Sequence, residues 1–320
     1  MTNKICKLHR LERREVFMKI IDEMKKAGWQ QLNVDKPSKD KIYVMYSSGN
    51  DGTKPIYIEL RPFDTSTSSE NLVNSTSYDD LDIRTPDKYM TDGSFRLING
   101  YDEVKGIGKG GGKTYVWPLV FHQGKTNGAN SATHLTYSKL MVDLYLYVDK
   151  DTVIYCVYEN DDIIPDRKSK TVIGFLGIPG ECYQKEVFTP MYGSSPFSVL
   201  ISAGSNWGIN CALTTGRTYF NWKGWGENPI VPTFFWDKVF LKAPSLEGNI
   251  IFTSLFMGDD LDGLRAKFDG FYIYRGSNYV AGDIVEITQG EEVQKYKVFN
   301  TSYVGAWSSF SSHNIALRIE

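Results

Sequence analysis

The stretch of this sequence that most invites a chemical reading is Gly106-Ile107-Gly108-Lys109-Gly110-Gly111-Gly112-Lys113-Thr114. A Gly-Lys-Thr ending is how a nucleotide-binding loop offers backbone N–H groups and an ammonium to phosphates. Such a loop also needs a glycine five positions before the Gly of Gly-Lys-Thr. Ile107 stands there, with Gly106 and Gly108 each one step out of register. The phosphates must sit at a helix N-terminus, whereas Thr114 runs into Tyr115-Val116-Trp117-Pro118, a strand-like run closed by proline. The segment therefore reads as a glycine loop able to order against a neighbouring chain, and no nucleotide cofactor is expected.

A second partial motif is Gly258-Asp259-Asp260-Leu261-Asp262-Gly263, with acidic residues at the third and fifth places of a calcium loop and Gly at the sixth. Gly258 occupies the place of the first ligand, and Asp269 stands where a longer glutamate reaches the ion from two oxygens. A solvated acidic turn is the expectation, and no metal site is assigned. The four histidines, His9, His122, His134 and His313, are scattered, and none accompanies a serine or cysteine nucleophile motif. The four cysteines, Cys6, Cys156, Cys182 and Cys211, contain no C-x-x-C pair, so reduced, mostly buried thiols are expected. A pair of catalytic carboxylates can come from distant strands and is not legible in sequence. No catalytic residue is assigned, and the chain is read as a non-enzyme that needs no cofactor.

The elements around these residues are mostly strands. Aromatic residues make up 14% of the 320 positions and there are 29 glycines, a mixture that favours strands and tight turns. Residues Leu8 to Ala27 read as one amphipathic helix, with Leu11, Val16, Ile20, Ile21 and Met24 as its apolar stripe and Gly28 as its stop. After Trp29, Ile42 to Tyr46 and Ile56 to Leu60 read as a hairpin across Gly49-Asn50-Asp51-Gly52. Further strands are expected at Phe95 to Ile98 and Tyr115 to Phe121. Val142, Leu144, Leu146 and Val148 alternate with Asp143, Tyr145 and Tyr147, the pattern of a half-buried strand, and Thr152 to Tyr158 follows across Asp149-Lys150-Asp151 as its hairpin partner. Val172 to Ile178 ends this half, and Pro179-Gly180 marks a turn. Asp64 to Asp80 and Gln123 to Thr133 are polar and read as long exposed arms. From Gln184 onward short apolar runs recur without helical period, as in a sandwich or small barrel. Within them, Tyr219 to Trp236 concentrates aromatics that serve either as core or as a stacking surface.

The fold class expected is thus α+β and predominantly β: an N-terminal helix packed on a mostly antiparallel sheet over residues 1–182, then an all-β sandwich or small-barrel domain over 183–320. The formal net charge of -2 offers no basic face for sequence-specific nucleic-acid binding. No run reaches the roughly 18 apolar residues of a membrane span, and no signal-peptide pattern follows Met1, so synthesis in a cytoplasm is expected.

Several segments together resemble virion structural proteins of tailed bacteriophages, in particular mid-sized neck, tail-completion or baseplate components. They are the helix ending in Ala27-Gly28-Trp29, the strand-turn-strand Tyr43 to Leu60, and the strand pair Leu140 to Tyr158 across Val148-Asp149-Lys150-Asp151. Gly282-Asp283-Ile284-Val285-Glu286-Ile287 followed by Tyr296-Lys297-Val298-Phe299 looks like the small β-modules such proteins carry. The resemblance lies in segment order over most of the chain. It implies an assembly role in the virion, a homo-oligomeric ring in contact with other virion proteins, synthesis in the host cytoplasm and no cofactor. A carbohydrate- or receptor-binding β-protein is the alternative, carried by the aromatic clusters, and an enzyme with an unrecognised site is the third reading.

Overall fold

The computed structural model describes residues 4–12, 15–32, 43–53, 56–63, 80–84, 88–89, 95–96, 116–118, 141–158, 171–178, 180–182, 199–205, 208–211, 218–220, 252–259, 263–275, 279–280, 282–300 and 313–320. The segments 64–79, 106–113 and 123–133 and the tryptophans of 221–236 lie outside this set.

The chain begins with β1 (Lys7–Glu12) and α1 (Val16–Lys26), then β2 (Gln30–Gln31), β3 (Tyr43–Ser47), β4 (Ile56–Phe63) and β5 (Asp80–Arg84). Short strands β6 (Lys88–Tyr89), β7 (Phe95–Arg96) and β8 (Val116–Pro118) precede the long β9 (Met141–Val148), β10 (Thr152–Tyr158) and β11 (Thr171–Gly177). β12 (Glu181–Cys182), β13 (Val199–Ser205), β14 (Gly208–Cys211) and β15 (Thr218–Phe220) follow. The chain closes with β16 (Thr253–Asp259), β17 (Gly263–Arg275), β18 (Ile284–Gln289), β19 (Glu292–Asn300) and β20 (His313–Arg318). The fold is predominantly β, with a single helix among the described residues, and the pairings between described strands are antiparallel.

The six-stranded sheet β1-β9-β10-β11-β13-β14 sits at the centre. On one face, Val142, Leu144, Leu146, Val153, Tyr155, Val157 and Leu176 form a common core with Val16, Phe17, Ile20, Ile21 and Met24 of α1 and with Met45, Ile56, Ile58 and Leu60 of the sheet β2-β3-β4-β5-β8. On the other face, Tyr145 and Tyr158 meet Phe299 edge-on at 5.4 and 5.8 Å, and Phe175 meets Phe268 at 5.0 Å. Phe299 and Phe268 belong to the seven-stranded sheet whose path is β15-β16-β17-β20-β19-β18, with β12 paired to β17. Strands from either side of 182/183 therefore share a sheet: β11 pairs with β13, while β12 joins the C-terminal strands.

Two expectations change. The helix does not begin at Leu8, because Lys7–Glu12 is a strand paired with β9 in the register Leu11↔Val142. Leu11 still packs against the core that α1 enters, but from a strand, and its five-residue gap to Val16 fits no helical face. The strand β9 is also not half-buried. Asp143 and Tyr145 are buried along with the alternating Val142, Leu144 and Leu146, because a second sheet covers the tyrosine face. Its neighbour β10 is buried at every position, as a continuous apolar run between two layers must be.

The helix ends as its sequence requires. The Gly28 N–H donates to the Lys25 carbonyl (3.0 Å) and the Trp29 N–H to that of Met24 (3.0 Å), with Gly28 at φ 99°. This is a Schellman stop, and both Trp29 and Met24 enter the core to seal it.

Candidate functional site

Among the described residues, polar and titratable groups converge on the turn between β9 and β10. Asp149 closes it: its Oδ1 accepts the N–H groups of Asp151 (2.8 Å) and Thr152 (2.7 Å), the hydrogen bonding that makes aspartate a turn residue. Tyr147 donates its hydroxyl to the second oxygen at 2.7 Å. Burial first, and this carboxylate second, push the phenol well above its ordinary range.

The remaining atoms of the turn face outward to other layers. Trp29 Nε1 donates to the Asp149 carbonyl (2.7 Å), and Ser47 Oγ to that of Lys150 (2.6 Å). The Asp151 carboxylate accepts both the backbone N–H (2.8 Å) and the side-chain amide (2.9 Å) of Asn50. The helix stop, the β3–β4 hairpin loop and the β9–β10 turn are thereby joined through groups that each satisfy a partner's hydrogen bonding.

Beneath the turn lies Lys4, a lysine only 6% exposed. Its Nζ donates to Thr152 Oγ1 (2.9 Å), which in turn donates to the Ile178 carbonyl (3.0 Å). The ammonium lies 5.8 Å from the Tyr147 ring centroid and 6.0 Å from that of Phe175, within cation–π range. Burial lowers its pKa, and the fields of Asp149, Asp269 and Asp151 offset part of that effect. Two residues on, the Cys6 N–H donates to the Arg318 carbonyl at 2.8 Å, so the N-terminal segment is held between the central sheet and the last strand. The Cys6 thiol is pushed up to about 12 by burial, and Cys156 is also raised well above its ordinary value, so neither is a ready nucleophile. Chemically the cluster sets a buried cation in the field of two carboxylates, with Lys4 bonded to Thr152 and the carboxylates bonded to the turn, Tyr147 and Asn50.

The sequence-derived candidates fall elsewhere. The glycine loop at 106–113 lies outside the described residues, as do His122 and His134. Gly258 and Asp259 end β16 and Gly263 begins β17, with Asp259 paired to Gly263, so paired strands flank the acidic motif where an EF-hand has helices, and residues 260–262 lie outside the described set. His9 lies in β1 and His313 in β20, in different sheets. Among the described residues no group of His, Cys, Asp or Glu has the arrangement of a metal site. No helix among them is long and apolar enough to cross a membrane. Of the aromatic-rich segment, Tyr219 and Phe220 lie in β15. A different aromatic cluster, not singled out in the sequence, does form: Phe252 packs on Tyr296 (4.7 Å), Tyr274 (5.8 Å) and Tyr272 (6.3 Å). The strand alternation of Tyr272 with Tyr274 was the available signal for it.

Compared with protein-family models and with curated proteins, the chain matches none.

Proposed function

We propose that this chain is a structural subunit of a tailed-bacteriophage virion, a neck, tail-completion, tail or baseplate component that acts through protein–protein assembly. The observation that carries the reading is the use made of the polar groups around the β9–β10 turn. Lys4 with Thr152, the carbonyls of Asp149 and Lys150 with Trp29 and Ser47, and Asp151 with Asn50 join the N-terminal segment, the helix stop and two sheets into one scaffold. Such cross-layer ties suit a subunit that must hold its shape under load. The segment order from the N-terminal helix to the strand pair at Ile284 to Phe299 supports the same reading by resemblance. In it, the strands of the C-terminal half form a β-sandwich or small barrel, and copies of the chain form a ring in contact with other virion proteins. Mass spectrometry of purified particles from the source tests it: the chain is expected at fixed stoichiometry, and particles complete without it would overturn the proposal.

A second reading has its own observation. The rings of Phe252, Tyr272, Tyr274 and Tyr296 gather on one face of the seven-stranded sheet, with Phe252 and Tyr272 only partly buried. Aromatic faces of this kind stack on sugars. Chemical-shift changes confined to these rings on titration with oligosaccharides would favour a carbohydrate-binding role.

A further inference from the structure

Among the described residues the exposed large hydrophobics are Leu8 (55%), Met141 (40%), Val280 (72%), Ile284 (54%) and Val293 (48%). They fall on two sheet margins. Leu8 and Met141 lie on β1 and β9 at one margin of the six-stranded sheet, while Ile284 and Val293 lie on β18 and β19 at one margin of the seven-stranded sheet, with Val280 just before β18. The two margins share a flank of the molecule. Tyr145 of β9 and Tyr158 of β10 sit over Phe299 of β19, and Phe175 of β11 sits over Phe268 of β17, so both sheets run in the same order inward from that side.

The margins differ in charge. On β1 the exposed ionic side chains are Lys7 and Arg10; around β18 they are Asp283 and Glu286. Within the described residues β1 pairs only with β9 and β18 only with β19, so each is the last described strand of its sheet, the position from which a sheet can extend onto another strand. A basic margin and an acidic margin on one flank are complementary to a rotated copy of the same flank. A two-fold axis that brings β1 of one molecule onto β18 of another also brings β18 of the first onto β1 of the second, which satisfies both margins at once.

We infer that this flank is a self-association surface, on which β1 of one copy of the chain meets β18 of a second copy. The inference rests on the assembly reading only for the premise that copies of the chain meet. A purified chain that dimerises through this flank yet is missing from particles would keep the interface and end the virion reading.

The test is sedimentation equilibrium on the full chain and on two variants at exposed positions, Leu8→Glu and Ile284→Lys, with circular dichroism to confirm that each is folded. The full chain is expected to dimerise. Each variant should weaken the dimer at least about tenfold, since twice per dimer a charge then replaces an apolar contact and faces a margin of like charge. An equimolar mixture of the two variants should associate more tightly than either alone, because one of its two β1-to-β18 contacts is unaltered. A chain that stays monomeric at about 100 µM, above the micromolar end of specific interfaces, would overturn the proposal. So would a dimer of unchanged affinity in both variants, or a mixture no tighter than its components.

Discussion

Gly174 and Tyr155 face each other across the β10–β11 pair, and the tyrosine ring lies over the glycine. A Cβ built on Gly174 would overlap the ring carbons and hydroxyl of Tyr155, whose side chain is wholly buried in the core shared with α1. Gly174→Ala therefore adds a methyl where there is no room. Relief requires the ring to swing into Val153, Val157 and Leu176 or the two strands to part, and overpacking of this kind costs about 1–3 kcal/mol. Alanine regains roughly 0.5–1 kcal/mol over glycine in a strand, so the net loss for so deep an overlap is expected at about 2 kcal/mol. Urea unfolding should show it as a lower midpoint at unchanged slope. In a Tyr155→Leu background the ring is gone and the same Gly174→Ala change should be neutral or stabilising, giving a coupling of at least about 1 kcal/mol in the double-mutant cycle. A cost below about 0.5 kcal/mol, or equal costs in both backgrounds, would refute the claim that the ring dictates glycine here.

Gly28→Ala forces a side chain into the left-handed region at φ 99° and should cost about 1–2 kcal/mol, with Gly28→Asn milder; thermal melts of the three proteins decide it. Cys6, whose thiol is raised from 9.0 to about 12, binds a proton in the folded state that the unfolded chain loses first, so its contribution is intact below pH 9 and declines as pH rises toward 12. Between pH 8 and pH 10 the full chain should therefore lose on the order of 1 kcal/mol more stability than Cys6→Ala, measured by urea unfolding at each pH. Glu23, held down to about 2 by hydrogen bonds from Lys19 and Lys26, stabilises the fold above pH 4.5 and loses that effect as pH falls toward 2. Its partly exposed setting limits the gain to about 0.5 kcal/mol, so Glu23→Gln should barely move the urea midpoint at pH 7. Separately expressed 1–180 and 185–320 should bind each other, because Tyr145 and Tyr158 pack on Phe299 and Phe175 on Phe268; absence of association by calorimetry would mark the halves as independent.

What the sequence determined by itself was local. The Gly49 to Gly52 turn, the Asp149-Lys150-Asp151 turn and the Gly28 stop follow from backbone conformations and side-chain hydrogen bonds within a few residues. The strands β9, β10, β18 and β19 follow from the composition and alternation of their apolar residues. The tertiary structure alone decided the rest, because the deciding partners are remote in the chain. Lys7–Glu12 is a strand since β9 offers it an edge, and although the five-residue gap from Leu11 to Val16 breaks the helical stripe, nothing local names the remote strand that Leu11 joins. The polar ties show the same limit: Asn50 meets Asp151 across 101 residues and Lys4 meets Thr152 across 148. Whether one face of β9 meets water or another sheet depends on where Phe299 arrives, and alternation is silent on that, since tyrosine suits both settings.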